Sequence, residues 1–115
     1  MANILIVDDK EDNLKAYKLA LEDAGLGWNI LTARNESVAQ KIIMETHPID
    51  VIITDLVMID EQSGMEVLRF AKQKDPLVMV IILTAFEKKL DRYKTFELGA
   101  FDCLSKGVPQ LSFGI

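Results

Sequence analysis

Three carboxylates, one hydroxyl and one ammonium stand at the ends of short apolar runs in this 115-residue sequence. Asp8 and Asp9 follow Ile4-Leu5-Ile6-Val7, and Asp55 closes Val51-Ile52-Ile53-Thr54. Thr84 ends the run from Val78 to Leu83, and Lys106 follows the run from Phe101 to Ser105. Carboxylates gathered in one crevice repel each other, and a hard dication is the simplest remedy. Magnesium takes carboxylate, carbonyl and water oxygens in an octahedron. A magnesium ion beside a carboxylate, a hydroxyl and an ammonium suits phosphoryl transfer. The carboxylate can attack, while the metal, the lysine and the threonine hold charge on the phosphoryl oxygens.

Each position also has a plain structural explanation. An acidic pair after a strand can cap the next helix and favour its dipole. A single aspartate can belong to a turn. Thr84 alone can be a β-branched strand residue, and Lys106 alone a solvated lysine. Cys103 suits a small buried hydrophobe. His47 has no Cys or His partner for a metal site, and Met58 and Met65 suit core filler. Convergence of five positions on one edge of a fold is what turns these residues into a site.

That convergence needs a parallel sheet. Ile4 to Val7, Trp28 to Ala33, Val51 to Thr54, Val78 to Leu83 and Phe101 to Ser105 predict five strands. Between them, Glu11 to Ala24, Glu36 to Thr46, Gly64 to Gln73 and Glu87 to Leu98 predict helices. The first carries Leu14, Tyr17, Leu21 and Ala24 at helical spacing, with Gly25 as its stop. The second carries Val38, Ala39, Ile42 and Ile43 on one face, and Pro48 prevents it running on. The third turns Val67, Leu68 and Ala71 inward, and the fourth Leu90 and Tyr93. Strands that are apolar throughout, with helices between them, imply a sheet covered on both faces. With right-handed crossovers this is a doubly wound α/β sandwich. Ligands bind such sheets beyond the carboxyl ends of the strands, where all five candidates fall.

Bulk composition narrows the function. The length suits one domain over residues 1–115. Net charge is -5 and no basic stripe is present, which argues against direct nucleic-acid binding by this domain. One cysteine excludes an intrachain disulfide and makes the cytoplasm the expected compartment. No apolar run approaches the roughly 20 residues of a membrane span.

The chain resembles bacterial receiver domains of two-component response regulators over essentially its whole length. The segments that carry the likeness are Ile4 to Asp9, Asp50 to Met58, Ile81 to Ala85 and Leu98 to Lys106. The resemblance implies a flavodoxin-like, three-layer fold with five strands in the order 2-1-3-4-5. It implies that Asp55 accepts a phosphoryl group from a histidine kinase or a histidine phosphotransfer protein and switches an output domain or downstream protein. Asp9, Asp55 and the backbone carbonyl of Val57 would hold Mg2+, with Asp8 acting largely through a bound water. Thr84 and Lys106 would contact the phosphoryl group, and small Ala85 would leave it room. It also implies that hydrolysis of the aspartyl phosphate is tuned two residues past the acceptor and two past the threonine, here Val57 and Phe86.

Four positions depart from the family pattern. Ile59 stands where the loop after the acceptor usually has proline. Ser63 stands where a glycine usually opens the third helix, with Gly64 one later, so the loop is expected to hold one extra residue. Cys103 replaces the switch aromatic, which predicts looser coupling between the phosphorylated site and the fourth helix. Gly107 replaces the proline after the lysine. Two glycines and a proline among residues 107–115 also predict that the C-terminal fifth helix is missing, so that the domain is truncated or atypical after residue 106. An uncovered sheet face would then favour a homodimer, and a piece cut from a larger protein is expected.

Two other functions fit parts of the pattern. A haloacid-dehalogenase-type phosphatase uses a similar set, but its nucleophile is followed two residues later by a second Asp, where this chain has Val57. The alternative is a phosphorylation-independent, receiver-like protein-interaction module. Such modules usually lose an acidic residue, and this chain keeps Asp8, Asp9 and Asp55.

Overall fold

The computed structural model describes residues 2–46, 48–55, 63–84, 99 and 102–105, with backbone alone for 63, 84 and 102–105. The elements are β1 (Asn3–Val7), α1 (Glu11–Asp23), β2 (Asn29–Ala33), α2 (Glu36–Glu45), β3 (Val51–Asp55), α3 (Ser63–Lys74), β4 (Met79–Thr84) and β5 (Asp102–Ser105). The described strands form one parallel sheet in the order β2-β1-β3-β4-β5. From β1 to β4, the alternation of strand and helix read from the sequence is therefore present in an α/β fold.

Side-chain alternation divides the core into two layers, one on each face of the sheet. Leu5 and Val7 of β1, Ile52 of β3 and Val80 and Ile82 of β4 pack with Ala39 and Ile43 of α2 and with Val67, Leu68 and Ala71 of α3. Ile4 and Ile6, with Ile53 and Leu83, pack with Leu14 and Leu21 of α1 on the opposite face. Tyr17 and Trp28 lean against that second cluster. Met65 belongs to the first cluster, as core filler.

The α1 boundary follows from its stop signal. Ala24 is the C-cap, and Gly25 adopts φ 70, the left-handed conformation that glycine reaches without a Cβ clash. At α2, Asn35 caps the helix by accepting a hydrogen bond from the Val38 N–H at 2.9 Å. The expected inward face of α2 is only partly right. Ala39 and Ile43 are buried and Ile42 flanks them, whereas Val38 is exposed. The helix lies over β2, the edge strand, so only the side of its apolar stripe that faces the sheet interior and α3 is covered.

Polar groups hold the strand register at the amino edge of the sheet. Asp50 Oδ2 accepts from the Asn3 N–H at 2.8 Å, and the Asn3 side-chain amide donates to the Pro48 carbonyl at 2.8 Å. The Asn29 amide donates to Asn3 Oδ1 at 2.9 Å. A slip of one residue would reverse which side chains face each helix layer. These bonds thus set, from the far end, where each strand stops at the carboxyl edge.

Lys72 joins three pieces of chain. Its ammonium donates to the carbonyls of Pro76, at 3.2 Å, and Val78, at 2.5 Å, closing the turn from α3 into β4. Its stem runs beside Gly99, where an added Cβ would lie 3.0 Å from Lys72 Cε. Gly99 also has φ 101, which L side chains rarely adopt.

The expectations for His47, Met58 and Ile59, and for the helix from Glu87 to Leu98, lie outside the described residues. So do the missing fifth helix and the self-association expected from it, which concern residues 106–115. Cys103 pairs through its backbone with Ile82, in β5 beside β4; its side chain is outside the description. Gly64 is the second residue of α3 and is buried, so the helix opens one residue before the expected glycine.

The core makes a stability contrast testable. Leu68 is fully buried between α3 and the sheet, and Leu19 is 59% exposed on α1. In urea denaturation, Leu68→Ala should lower stability by about 2–5 kcal/mol, and Leu19→Ala should change it by less than about 0.5 kcal/mol. Equal losses would mean that the α3 face is not a packed core.

Candidate functional site

Strand register brings two of the acids together. Ile6 pairs with Ile53 and Val7 with Thr54, so Asp8 continues the ladder opposite Asp55. Both then fall on the α1 side of the sheet, in line with Ile6 and Ile53. The Asp8 N–H donates to the Ala33 carbonyl at 3.1 Å, which carries the β1–β2 pairing one residue beyond the strand. Asp8 is 1% exposed and Asp55 8%, whereas Asp9 is exposed.

Among the described residues, Asp8, Asp9 and Asp55 each offer a carboxylate oxygen, and these oxygens lie within 4.8 Å of one another. This is the arrangement expected at the carboxyl edge. An all-oxygen, acid-rich donor set matches magnesium or another hard dication, and mismatches the softer, nitrogen- and sulfur-seeking metals. Burial of Asp8 and Asp55 narrows the directions from which water can offset their charge, which strengthens the case for a cation.

The helix-cap explanation for the acidic pair accounts for only part of what Asp8 does. Lys10 is the N-cap of α1 and makes no side-chain cap hydrogen bond. Asp8 reaches forward instead. Its Oδ1 accepts from the Lys10 N–H at 2.9 Å, and its Oδ2 accepts from the Asn13 side-chain amide at 3.2 Å. Sequence reasoning does not single out Asn13. Its signal is its place as the third helical residue, from which a side chain can reach back past the helix start.

The remaining candidates are placed through backbone alone or not described. Thr84 ends β4 one step beyond Leu83, the partner of Asp55. Thr84 in turn pairs with Ser105, the residue before Lys106. The Thr84 side chain, Val57, Phe86 and Lys106 lie outside the described residues. Among the described residues, no helix is long and apolar enough to cross a membrane.

Comparison with known proteins agrees with this geometry. A family model described as the response regulator receiver domain matches residues 4–112. The alkaline phosphatase synthesis transcriptional regulatory protein PhoP of Bacillus subtilis is 33% identical over 103 residues, which cover 90% of this chain and 41% of that protein. The chain thus spans less than half the length of that relative. A receiver domain protein from Clostridium thermocellum superposes with a TM-score of 0.83 at 33% identity, covering 98% of this chain and 88% of that one. A response regulator from Thermotoga maritima, solved in complex with Mg(2+)-BeF, superposes with a TM-score of 0.83 at 26% identity, covering 99% and 94%. The strand pattern, the acidic edge and a family match over nearly the whole chain agree: this chain belongs to the response regulator receiver domains, the flavodoxin-like phosphoacceptor modules of two-component signalling.

Proposed function

We propose that Asp55 is the phosphoacceptor of this receiver domain and that Asp8, Asp9 and Asp55, with the backbone carbonyl of Val57, hold Mg2+ beside it. The observation that carries this is the approach of three carboxylate oxygens to within 4.8 Å, at the strand ends where ligands of such sheets bind. The Mg(2+)-BeF complex of the Thermotoga maritima relative supports magnesium as the cation. In this assignment residues 1–115 form one receiver domain, with the full five-stranded, doubly wound architecture.

The donor is a phosphohistidine of a histidine kinase or a histidine phosphotransfer protein. An Asp55 oxygen attacks the phosphorus in line. The new P–O bond forms as the P–N bond to the donor imidazole breaks, and that imidazole leaves with a proton. Bound magnesium supplies positive charge to the phosphoryl oxygens and to the crowded carboxylates. The Thr84 hydroxyl donates a charge-assisted hydrogen bond to one phosphoryl oxygen, and the Lys106 ammonium pairs with another. Register supports both roles, since Thr84 follows the residue opposite Asp55 and pairs with the residue before Lys106. The phosphorylated domain then acts on an output domain or a downstream protein in the cytoplasm. Net charge of -5 fits a domain that leaves nucleic acid to its partner.

Val57 and Phe86, two past the acceptor and two past the threonine, are apolar and cannot hydrogen-bond an attacking water. They offer no general-base or orienting help to hydrolysis. A binding module that works without phosphorylation is the competing assignment, and a donor assay separates the two.

Incubated with acetyl phosphate and Mg2+, the protein should gain one phosphoryl group by intact mass, and Asp55→Asn should gain none. Labelling that survives Asp55→Asn unchanged would reject Asp55. Once labelled, the protein should lose its phosphoryl group slowly in the absence of any phosphatase, and Phe86→Glu should not slow the decay further. A fast wild-type decay would show that water is activated by some other group. Like-charge crowding gives a third expectation. In EDTA, Asp9→Asn should raise stability by ~1 kcal/mol, roughly 4 °C in a domain of this size, while shrinking the further rise produced by Mg2+. A lower melting temperature for Asp9→Asn in EDTA would show that Asp9 is held by favourable contacts and not by default.

A further inference from the structure

The start of α1 lacks a side-chain cap, and the group that fills the gap is a candidate metal ligand. In a capping box, the side chain of the third helical residue turns back to the N–H of the N-cap. Here the N-cap is Lys10, and its N–H is taken by Asp8 Oδ1 at 2.9 Å. The third helical residue is Asn13, and its amide reaches back to Asp8 Oδ2 at 3.2 Å. Asn13 is itself fixed by its backbone N–H, which donates to the Lys10 carbonyl at 3.1 Å. Each oxygen of the buried Asp8 carboxylate therefore receives a donor from α1, and the plane of the carboxylate is held at both ends.

We propose that Asn13 is a positioning residue for the metal site: it holds Asp8 in the orientation in which its carboxylate faces Asp9 and Asp55. This rests on the assignment of the acidic cluster to Mg2+. Donors on both oxygens restrict rotation about the Asp8 Cβ–Cγ bond more than a donor on one oxygen does. Rotation lost before binding need not be lost on binding, so a pre-oriented ligand binds more tightly. Partners that orient metal ligands typically account for 10–100-fold in metal affinity. Asn13 touches neither the metal nor the phosphoryl group in this account. It acts through Asp8, and the test must separate orientation from stability.

Asn13→Leu keeps the same branched heavy-atom skeleton, removes the donor and favours helix more than asparagine does. Asn13→Gln keeps the donor on a longer arm. Mg2+ affinity is measured by calorimetry on the whole protein, and melting temperature in EDTA. Asn13→Leu should bind Mg2+ at least ~10-fold more weakly than the wild type, with a melting temperature in EDTA equal or higher. Asn13→Gln should recover most of the affinity. A wild type that binds Mg2+ and an Asn13→Leu variant that binds it equally well would overturn the role of Asn13 alone. Weak binding matched by a lowered melting temperature in EDTA, with no recovery in Asn13→Gln, would reduce Asn13 to a structural cap and also overturn it. A wild type that binds no Mg2+ would overturn the metal assignment, and this inference with it.

Discussion

The parallel pairing of β1 with β3 is the constraint on which the rest depends. It sets Asp8 opposite Asp55 at the point where both strands end. With Asp9 beside them, three carboxylate oxygens lie within 4.8 Å. Two full charges at that separation repel by on the order of 3 kcal/mol at an effective dielectric of about 20. A fold can carry such crowding only if its other contacts oppose it. The aliphatic rows of β1, β3 and β4, each buried between helices, do so, since a fully buried Leu, Ile or Val contributes about 1.5–3 kcal/mol. The apolar strands and the acidic edge are thus two halves of one arrangement. The core holds the acids together, and a cation or a phosphoryl group with its partners gains from finding them together.

Much of this was readable in the sequence because it depends on local patterns. Ile4 to Val7 and Val51 to Thr54 are short, continuous, mostly β-branched apolar runs, which marks strands buried on both faces. Each stops abruptly at an aspartate, so strand ends and acidic residues were located by the same signal. Val67, Leu68 and Ala71 are buried as their spacing requires. Val38 failed for a reason that spacing cannot show. Its stripe on α2 is as apolar as the others, but α2 covers the edge strand, and an edge leaves one side of a helix without a neighbour.

The part of the site that was not legible is the tie between Asp8 and α1. Asp8 and Asn13 are five residues apart and belong to no repeating pattern. Their meeting depends on how sharply the chain turns at Asp9 and Lys10, and on a helix that starts at Glu11 instead of one residue to either side. The same tie changes what substitution of Asp8 means. Asp8→Ala removes a candidate ligand, and it also frees the Lys10 N–H and the Asn13 amide at the mouth of α1. Loss of function in such a variant would mix two causes, whereas exposed Asp9 allows the charge alone to be removed.

Lys72 and Gly99 carry a further consequence, for how this sequence can drift. They are 27 residues apart in the chain, yet the stem of one occupies the space that a side chain on the other would need. The dependence runs in one direction. Shortening residue 72 clears room at 99 but leaves the backbone there at φ 101, still closed to most residues. Enlarging residue 99 presses on Lys72, and through its ammonium on the carbonyls of Pro76 and Val78. Position 72 can therefore change while position 99 stays glycine, and position 99 cannot change first. Along a lineage, lysine would come and go at one end of this contact while the glycine at the other end persists.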